Sequence, residues 1–264
     1  MTVLIATACR KEDKPAGPAT ETPAPPPADD RRTVRLRSIE ETGMPAPYYS
    51  FTYDPDGYVT DISFAGGFFR YTVTYAQKRV TQVRNTPDGA LLQYHYSNGR
   101  VDAIHKTDSN GEPVWDYLFT YNTNGRLETV RWVQLQAGSA ATVRRVELTY
   151  DAAGELSEWK DFHDINGTLT WLRTFRYSNY DSAVNVDDFG LLKSFFEDVL
   201  FLPSVRLQQH NPRHVTLLGP VNDFGIDYTF TYANGLPATR DGIMRQTRGG
   251  TGAPITLRSQ YAYF

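Results

Sequence analysis

The stretch FTYNTNGRLETV, residues 119–130, decides the fold. It sets an aromatic residue two places before a tyrosine, follows with a polar turn ending in Asn-Gly, and resumes as an apolar strand. Asn-Gly between alternating segments is a strong hairpin signal, because glycine takes the positive φ that tight turns require. The same pattern recurs in FTYDPDGYVTDI (51–62), VTYAQKRVTQV (73–83), YHYSNGRVDAI (94–104), LTYDAAGELSEW (148–159), FRYSN (175–179) and FTYANGL (230–236). The anchoring tyrosines are Tyr53, Tyr75, Tyr96, Tyr121, Tyr150, Tyr177 and Tyr232, spaced by 22, 21, 25, 29, 27 and 55 residues. The last gap holds about two repeat lengths and signals an insertion.

Between these turns lies a second set, TPDG (86–89), DSNG (108–111), AGSA (137–140) and DING (164–167). Two alternating turn sets with short strands between them describe an antiparallel up-and-down meander. The expected fold is all-β, about 14 strands curled into a half-barrel or barrel, with one helix-containing insertion over about 178–223. The helix is expected at DFGLLKSFFEDVLF, Asp188 to Phe201. There Leu192, Phe195, Phe196, Val199 and Leu200 fall at i, i+3, i+4, i+7 and i+8, and Pro203 stops the run. It is expected to cover the aromatic face of the sheet; a lid or a partner-binding helix is the alternative.

The chain has 264 residues, a net charge of -3, 13% aromatic residues and a single cysteine. That balance lacks the basic excess used to bind phosphate backbones, so no nucleic acid is expected. One cysteine excludes disulfides within the chain and a Cys-based zinc site. No run approaches the length of a spanning helix.

The lone Cys9 follows the small or apolar residues 2–8 (TVLIATA), as in a bacterial lipoprotein signal whose cysteine is acylated. Lys11, Glu12 and Asp13 follow as a charged cluster, and residues 15–30 (PAGPATETPAPPPADD) read as an extended tether. The expected organisation is a signal remnant over 1–9, a charged and Pro-rich tether over 10–32, and one β domain over 33–264. The membrane partner would be reached through the lipid on Cys9.

These features carry two resemblances. The Tyr-Asp-x-x-Gly-type units, with the dipeptide itself at Tyr53-Asp54 and Tyr150-Asp151, resemble the YD repeats of Rhs and teneurin-type shells. Together with the lipoprotein start and the insertion, residues 33–264 are similar to a Bacteroidota surface lipoprotein family of unknown function with a porin-like fold. That second resemblance implies outer-membrane anchoring and cell-surface exposure, with Lys11, Glu12 and Asp13 as an export tag.

Alternation sorts the strands into faces. Positions in step with the repeat tyrosines, such as Phe51, Tyr71, Leu92, Trp115, Tyr117, Trp171 and Phe175, are apolar. The offset positions, such as Thr52, Arg70, His95, Asp116, Glu147 and Arg176, are almost all polar. A transmembrane barrel needs an outward apolar band, so the reading expects a curled sheet in water. A further regularity is the spacing by three of Val59/Ile62, Val80/Val83, Val101/Ile104, Leu127/Val130 and Leu156/Trp159. Both members of each pair face inward only if a bulge follows each turn.

No catalytic constellation stands out, so the expected function is a non-enzymatic binding or structural module, a monomer without cofactor or metal. Its ligand would be a glycan or peptide held in a groove left by the insertion, with Trp115, Tyr117, Trp171 and Arg173 as candidate groove residues. Core packing is the default reading of all four tryptophans. A glycan hydrolase using an acid pair among Asp161, Asp164, Asp187, Asp188, Glu197 and Asp198 is the alternative, and an envelope-complex scaffold a third. His210-x3-His214 has metal-like spacing, but Pro212 lies between them and a solvated loop is expected.

Overall fold

The computed structural model describes residues 30–136, 138–187, 191–192, 198–250 and 252–264. The first strands are β1 (Leu36–Glu41), β2 (Tyr49–Tyr53), β3 (Val59–Phe64), β4 (Phe69–Ala76), β5 (Arg79–Asn85) and β6 (Leu91–Ser97). Next come β7 (Arg100–Thr107), β8 (Pro113–Tyr121), β9 (Leu127–Gln136), β10 (Ser139–Tyr150), β11 (Leu156–Ile165) and β12 (Thr168–Val184). Two short strands, β13 (Leu191–Leu192) and β14 (Leu200–Phe201), precede β15 (His210–Leu218), β16 (Asp223–Ala233), β17 (Leu236–Arg248) and β18 (Ile255–Tyr263). All but β13 and β14 form one closed antiparallel barrel, in which β12 neighbours β15 and β1 neighbours β18.

The sheet closes, with sixteen strands where about 14 are expected. Six of the tyrosine units turn hairpins, β2/β3, β4/β5, β6/β7, β8/β9, β10/β11 and β16/β17; the unit at 175–179 makes no turn, because Tyr177, Ser178 and Asn179 lie inside β12, which pairs with β15 across the insertion. The two remaining strands are β1 and β18. They carry no repeat turn and pair with each other at the seam, Ile39 opposite Tyr261 and Glu41 opposite Ser259.

The turns after β2, β8 and β10 repeat one set of bonds. At the turn after β8, Asn122 Oδ1 accepts from the amides of Asn124 and Arg126, both at 3.0 Å. Asp54 and Asp151 accept in the same way from Tyr58 and Glu155 at 2.9 Å. A short acceptor side chain that closes its own turn explains Asp or Asn after the tyrosine. Gly125 and Gly154 then take φ of 75° and 86°, with the guanidiniums of Arg100 and Arg126 lying over them where a Cβ would clash. A bulge follows each of these turns: Tyr53 opposes Val59 while Thr52 opposes Asp61, and Tyr121 opposes Leu127 while Thr120 opposes Thr129. The bulges keep Val59 and Ile62, Val80 and Val83, and Leu127 and Val130 all buried, as the spacing by three predicts.

The repeat tyrosines bind neighbouring hairpins together. Tyr121 donates to the carbonyl of Val101 and Tyr150 to that of Leu127, each at 2.8 Å. Arg100 and Arg126 stack over the same two rings at 5.4 and 5.2 Å. Burial pushes the Tyr121 phenol well above its ordinary value, so this hydroxyl stays a neutral donor.

The insertion differs from its expectation in form and extent. β12 runs on to Val184 and β15 begins at His210, so residues 178–184 and 210–223 belong to the barrel wall or its turns and 185–209 form the insertion. No helix occurs among the described residues: Leu191 pairs with Phe201 and Leu192 with Leu200 in a two-stranded antiparallel sheet. The remainder of the expected helix, 188–190 and 193–197, lies outside the described residues. Val199 and Leu200, which end the helix-like spacing, are buried together with Phe201 and Leu202 and not along one stripe.

That segment is a plug. Tyr94 donates to the carbonyl of Phe201 at 2.8 Å, and Leu156 N donates to Leu207 O at 3.1 Å. Lys106 Nζ and Tyr117 Oη both donate to Asp198 Oδ2 at 2.7 Å. The chain also docks at the end where the repeat turns lie: Asp30 N donates to Lys78 O at 3.0 Å, and Val80 N to Asp30 Oδ2 at 2.9 Å. Asp30 and Arg32, counted in the tether on sequence grounds, are therefore buried against the barrel.

Candidate ligand-binding site

The plug fills the lumen unevenly. The continuous apolar core joins the inward residues of β1–β11 to Val199, Leu200, Phe201, Leu202, Val205 and Leu207. Opposite β12 and β15–β17 the lumen stays open as a cavity of about 490 Å³. Its walls carry Trp159, Phe175, Tyr177, Tyr228 and Phe230, rings that alternation aims inward and that are only part-buried. Their geometry is paired along the strands: Phe175 stacks on Tyr177 at 6.4 Å and Phe230 on Tyr232 at 6.1 Å.

Fixed charges face this cavity from two sides. On one, Asp161 is fully buried between two guanidiniums. Arg144 donates Nε to Oδ1 at 2.7 Å and Nη2 to Oδ2 at 2.9 Å. Arg173 donates Nε and Nη2 to Oδ2 at 3.0 and 2.9 Å. His163 Nε2 lies 3.2 Å from Oδ1. Burial pushes the Asp161 carboxyl up, but the hydrogen bonds and charges of Arg144 and Arg173 outweigh it and hold the group below its ordinary value. The rings of Trp132 and Phe175 lie against Arg144 and Arg173, at 4.4 and 5.6 Å. On the other side Arg240 donates to Asp187 at 2.8 Å and to Glu41 at 3.1 Å.

The four candidate groove residues are not brought together. Arg173 lines the 490 Å³ cavity. Trp115 and Tyr117 line a second cavity of about 400 Å³ on the far side of Arg144, which borders both. Trp171 faces outward, 36% exposed. A bulge at Leu172 lets Asp161 oppose Arg173 while Phe162 opposes Trp171, which turns Trp171 out of the inward register that core packing requires. Its indole instead donates to Thr174 Oγ1 at 2.8 Å. Cys9, Lys11, Glu12 and Asp13 lie outside the described residues.

Sequence reasoning passed over Arg144 and Arg240 as site residues and weighed Asp161 only as a catalytic acid. Each sits in inward register, Arg144 with Val146 and Asp161 with Trp159. A charge at such a position must find a partner inside, and that parity was the available signal. Three of the acids weighed for hydrolysis are held in structural bonds, Asp161 by two arginines, Asp187 by Arg240 and Asp198 by Lys106 and Tyr117, whereas Asp164 stands exposed on the outer face. Asp188 and Glu197 lie outside the described residues. His210 and His214 stand on β15, not in a loop, beside Glu155 and Asp227 at 2.7 Å.

The outer wall is ionic around the barrel. Cross-strand pairs run from His95–Asp102 and His105–Asp116 at 2.7 Å, through Glu158–Arg176 at 3.0 Å, to Arg258–Asp241 at 3.6 Å, and Lys160 joins Glu158 along β11 at 2.7 Å. Among the described residues no helix is long and apolar enough to cross a membrane, and a barrel that crosses by its strands needs an apolar outer band.

No protein-family model and no curated protein matches the chain. Among solved structures, a porin-like protein from Bacteroides vulgatus is similar at a TM-score of 0.58 and 13% identity, covering 88% of this chain and 99% of its own. A porin-like protein from Bacteroides uniformis is similar at 0.57 and 15% identity, covering 82% of this chain and 89% of its own. At these identities the likeness is one of fold: the chain is built as a porin-like β-barrel.

Proposed function

We propose that the protein is a lipid-anchored outer-membrane barrel that binds a small ligand in its lumen without turning it over. The observation that carries this reading is the half-filled lumen, where part-buried rings and fixed polar groups surround about 490 Å³. Such a concave, mainly apolar space with a few oriented polar groups is the usual form of a ligand site. A glycan or peptide is the ligand class, since flat rings serve either. Of the acids weighed for hydrolysis, Asp161, Asp187 and Asp198 are engaged in ion pairs, which favours binding over catalysis.

A porin-like barrel is consistent with an outer-membrane location, and the charged outer wall favours attachment by acyl chains on Cys9 over insertion by strands. The described chain begins at the repeat-turn end, so the tether would leave from there and direct the opposite end outward, at the cell surface. Closure of β1 on β18 leaves the main sheet without a free edge, which supports a monomer.

The test has two arms. Intact cells are treated with external protease and labelled metabolically with palmitate; loss of the intact chain, and label abolished by Cys9→Ala, are expected. Full protection of the chain would refute the surface placement. Purified protein is then titrated by calorimetry against a panel of oligosaccharides and peptidoglycan fragments, with the products analysed. Binding without product release is expected; turnover would replace this reading with the hydrolase.

A further inference from the structure

We infer that the lumen cavity selects a ligand bearing a carboxylate, received end-on by the free edge of the Arg173 guanidinium. The inference rests on the binding function proposed above and deepens it. Arg173 uses Nε and Nη2 on one oxygen of Asp161. Its flat face lies over Phe175. The remaining nitrogen, Nη1, has no acceptor among the described residues, and the side chain keeps 40% of its surface exposed where it lines the cavity. The guanidinium is thus held on one edge and one face, with its Nη1–Nη2 edge presented to the open lumen.

That edge is a planar donor pair matched to a carboxylate, and its orientation is fixed before any ligand arrives. Pre-ordering removes most of the side-chain entropy that binding would otherwise cost. A carboxylate is favoured over a phosphate monoester for an electrostatic reason. Asp161 is ionised and buried directly behind the arginine, so one further negative charge is balanced by Arg173 and a dianion is not. Around the edge the part-buried rings of Tyr177 and Phe230 offer apolar surface that suits the C–H faces of pyranose rings. A uronic-acid-bearing saccharide fits both features; a short peptide with a free C-terminus shares the carboxylate.

The test titrates the full chain calorimetrically with an oligogalacturonide trimer and with its methyl ester, which keeps the skeleton and removes the charge. A second arm uses a tripeptide with an aromatic residue, as free acid and as C-terminal amide. The acid saccharide is expected to bind at least tenfold tighter than its ester. Arg173→Gln should erase that preference, and Phe230→Ala should weaken acid and ester alike. Arg173→Lys, which can keep the ion pair with Asp161 but not the planar fork, should lose most of the preference and covers the case in which Arg173→Gln unfolds. Equal binding of acid and ester, unchanged in Arg173→Gln, would overturn the carboxylate and leave lumen binding standing. Preference for the peptide acid alone would keep the carboxylate and overturn the saccharide. No binding in either arm would overturn the lumen site itself.

Discussion

The two sides of the barrel use one pattern for opposite ends. In β2–β9 the inward residues Tyr49, Phe64, Tyr71, Leu92 and Ile104 are nearly inaccessible, because the plug packs Phe201 and its neighbours against them. In β12 and β16 the inward residues Phe175, Tyr177, Tyr228 and Phe230 follow the same alternation yet remain half-buried around the open cavity. The strands differ as well: β2–β7 are 5 to 8 residues long, whereas β12, β16 and β17 have 17, 11 and 13. Alternation therefore determines which side chains enter the lumen, and the insertion determines whether they become core or binding wall.

Substitutions can test that contrast. Phe201→Ala should have the largest effect, about 4 kcal/mol of stability lost, since it opens a cavity in the packed side. Denaturant unfolding measures it; a loss below about 1 kcal/mol would mean the plug is not part of the core. Asp161→Ala should cost about 3 kcal/mol by leaving Arg144 and Arg173 without their shared carboxylate. Because the folded Asp161 carboxyl is held below its ordinary value, its contribution is complete above the unfolded value near 4 and disappears as pH falls through the folded one. The stability difference between wild type and Asp161→Ala should accordingly be constant from pH 7 to about 5 and shrink below pH 4. A difference that grows on acidification would contradict the ion-pair cluster.

Smaller effects follow from the seams between hairpins. Tyr150→Phe removes one part-buried hydrogen bond to Leu127 O and should cost about 1 kcal/mol, read as a shift in denaturation midpoint. Phe230→Ala, on the open side, should cost less than that, although it removes as many atoms as Phe201→Ala. Equal losses at positions 201 and 230 would erase the distinction between the two sides.

Much of this was legible in the residues, and the failures are local. The turns at Asp54, Asn122 and Asp151 declared their hairpins, and spacings by three such as Val59 to Ile62 declared the bulge after them. Closure was not legible, because β1 and β18 meet only in the folded chain and no turn marks them. The plug was read as a helix because Val199 and Leu200 continue a spacing that a strand buried all round also satisfies. Trp171 was misplaced because the bulge at Leu172 lies inside a strand with no turn to announce it. Arg173 was legible by its parity with Phe175; its partner Asp161, drawn from β11, needed the cross-strand register.

The central claim is that the lumen is open beside β16 and filled beside β6. It is tested most directly by thiol labelling of Phe230→Cys and Leu92→Cys, each with Cys9 replaced by serine so that the chain holds one thiol. The folded Phe230→Cys protein should react with a small alkylating reagent at close to the rate of an exposed thiol. The folded Leu92→Cys protein should react only as fast as it unfolds. Equal protection of the two thiols would contradict the account.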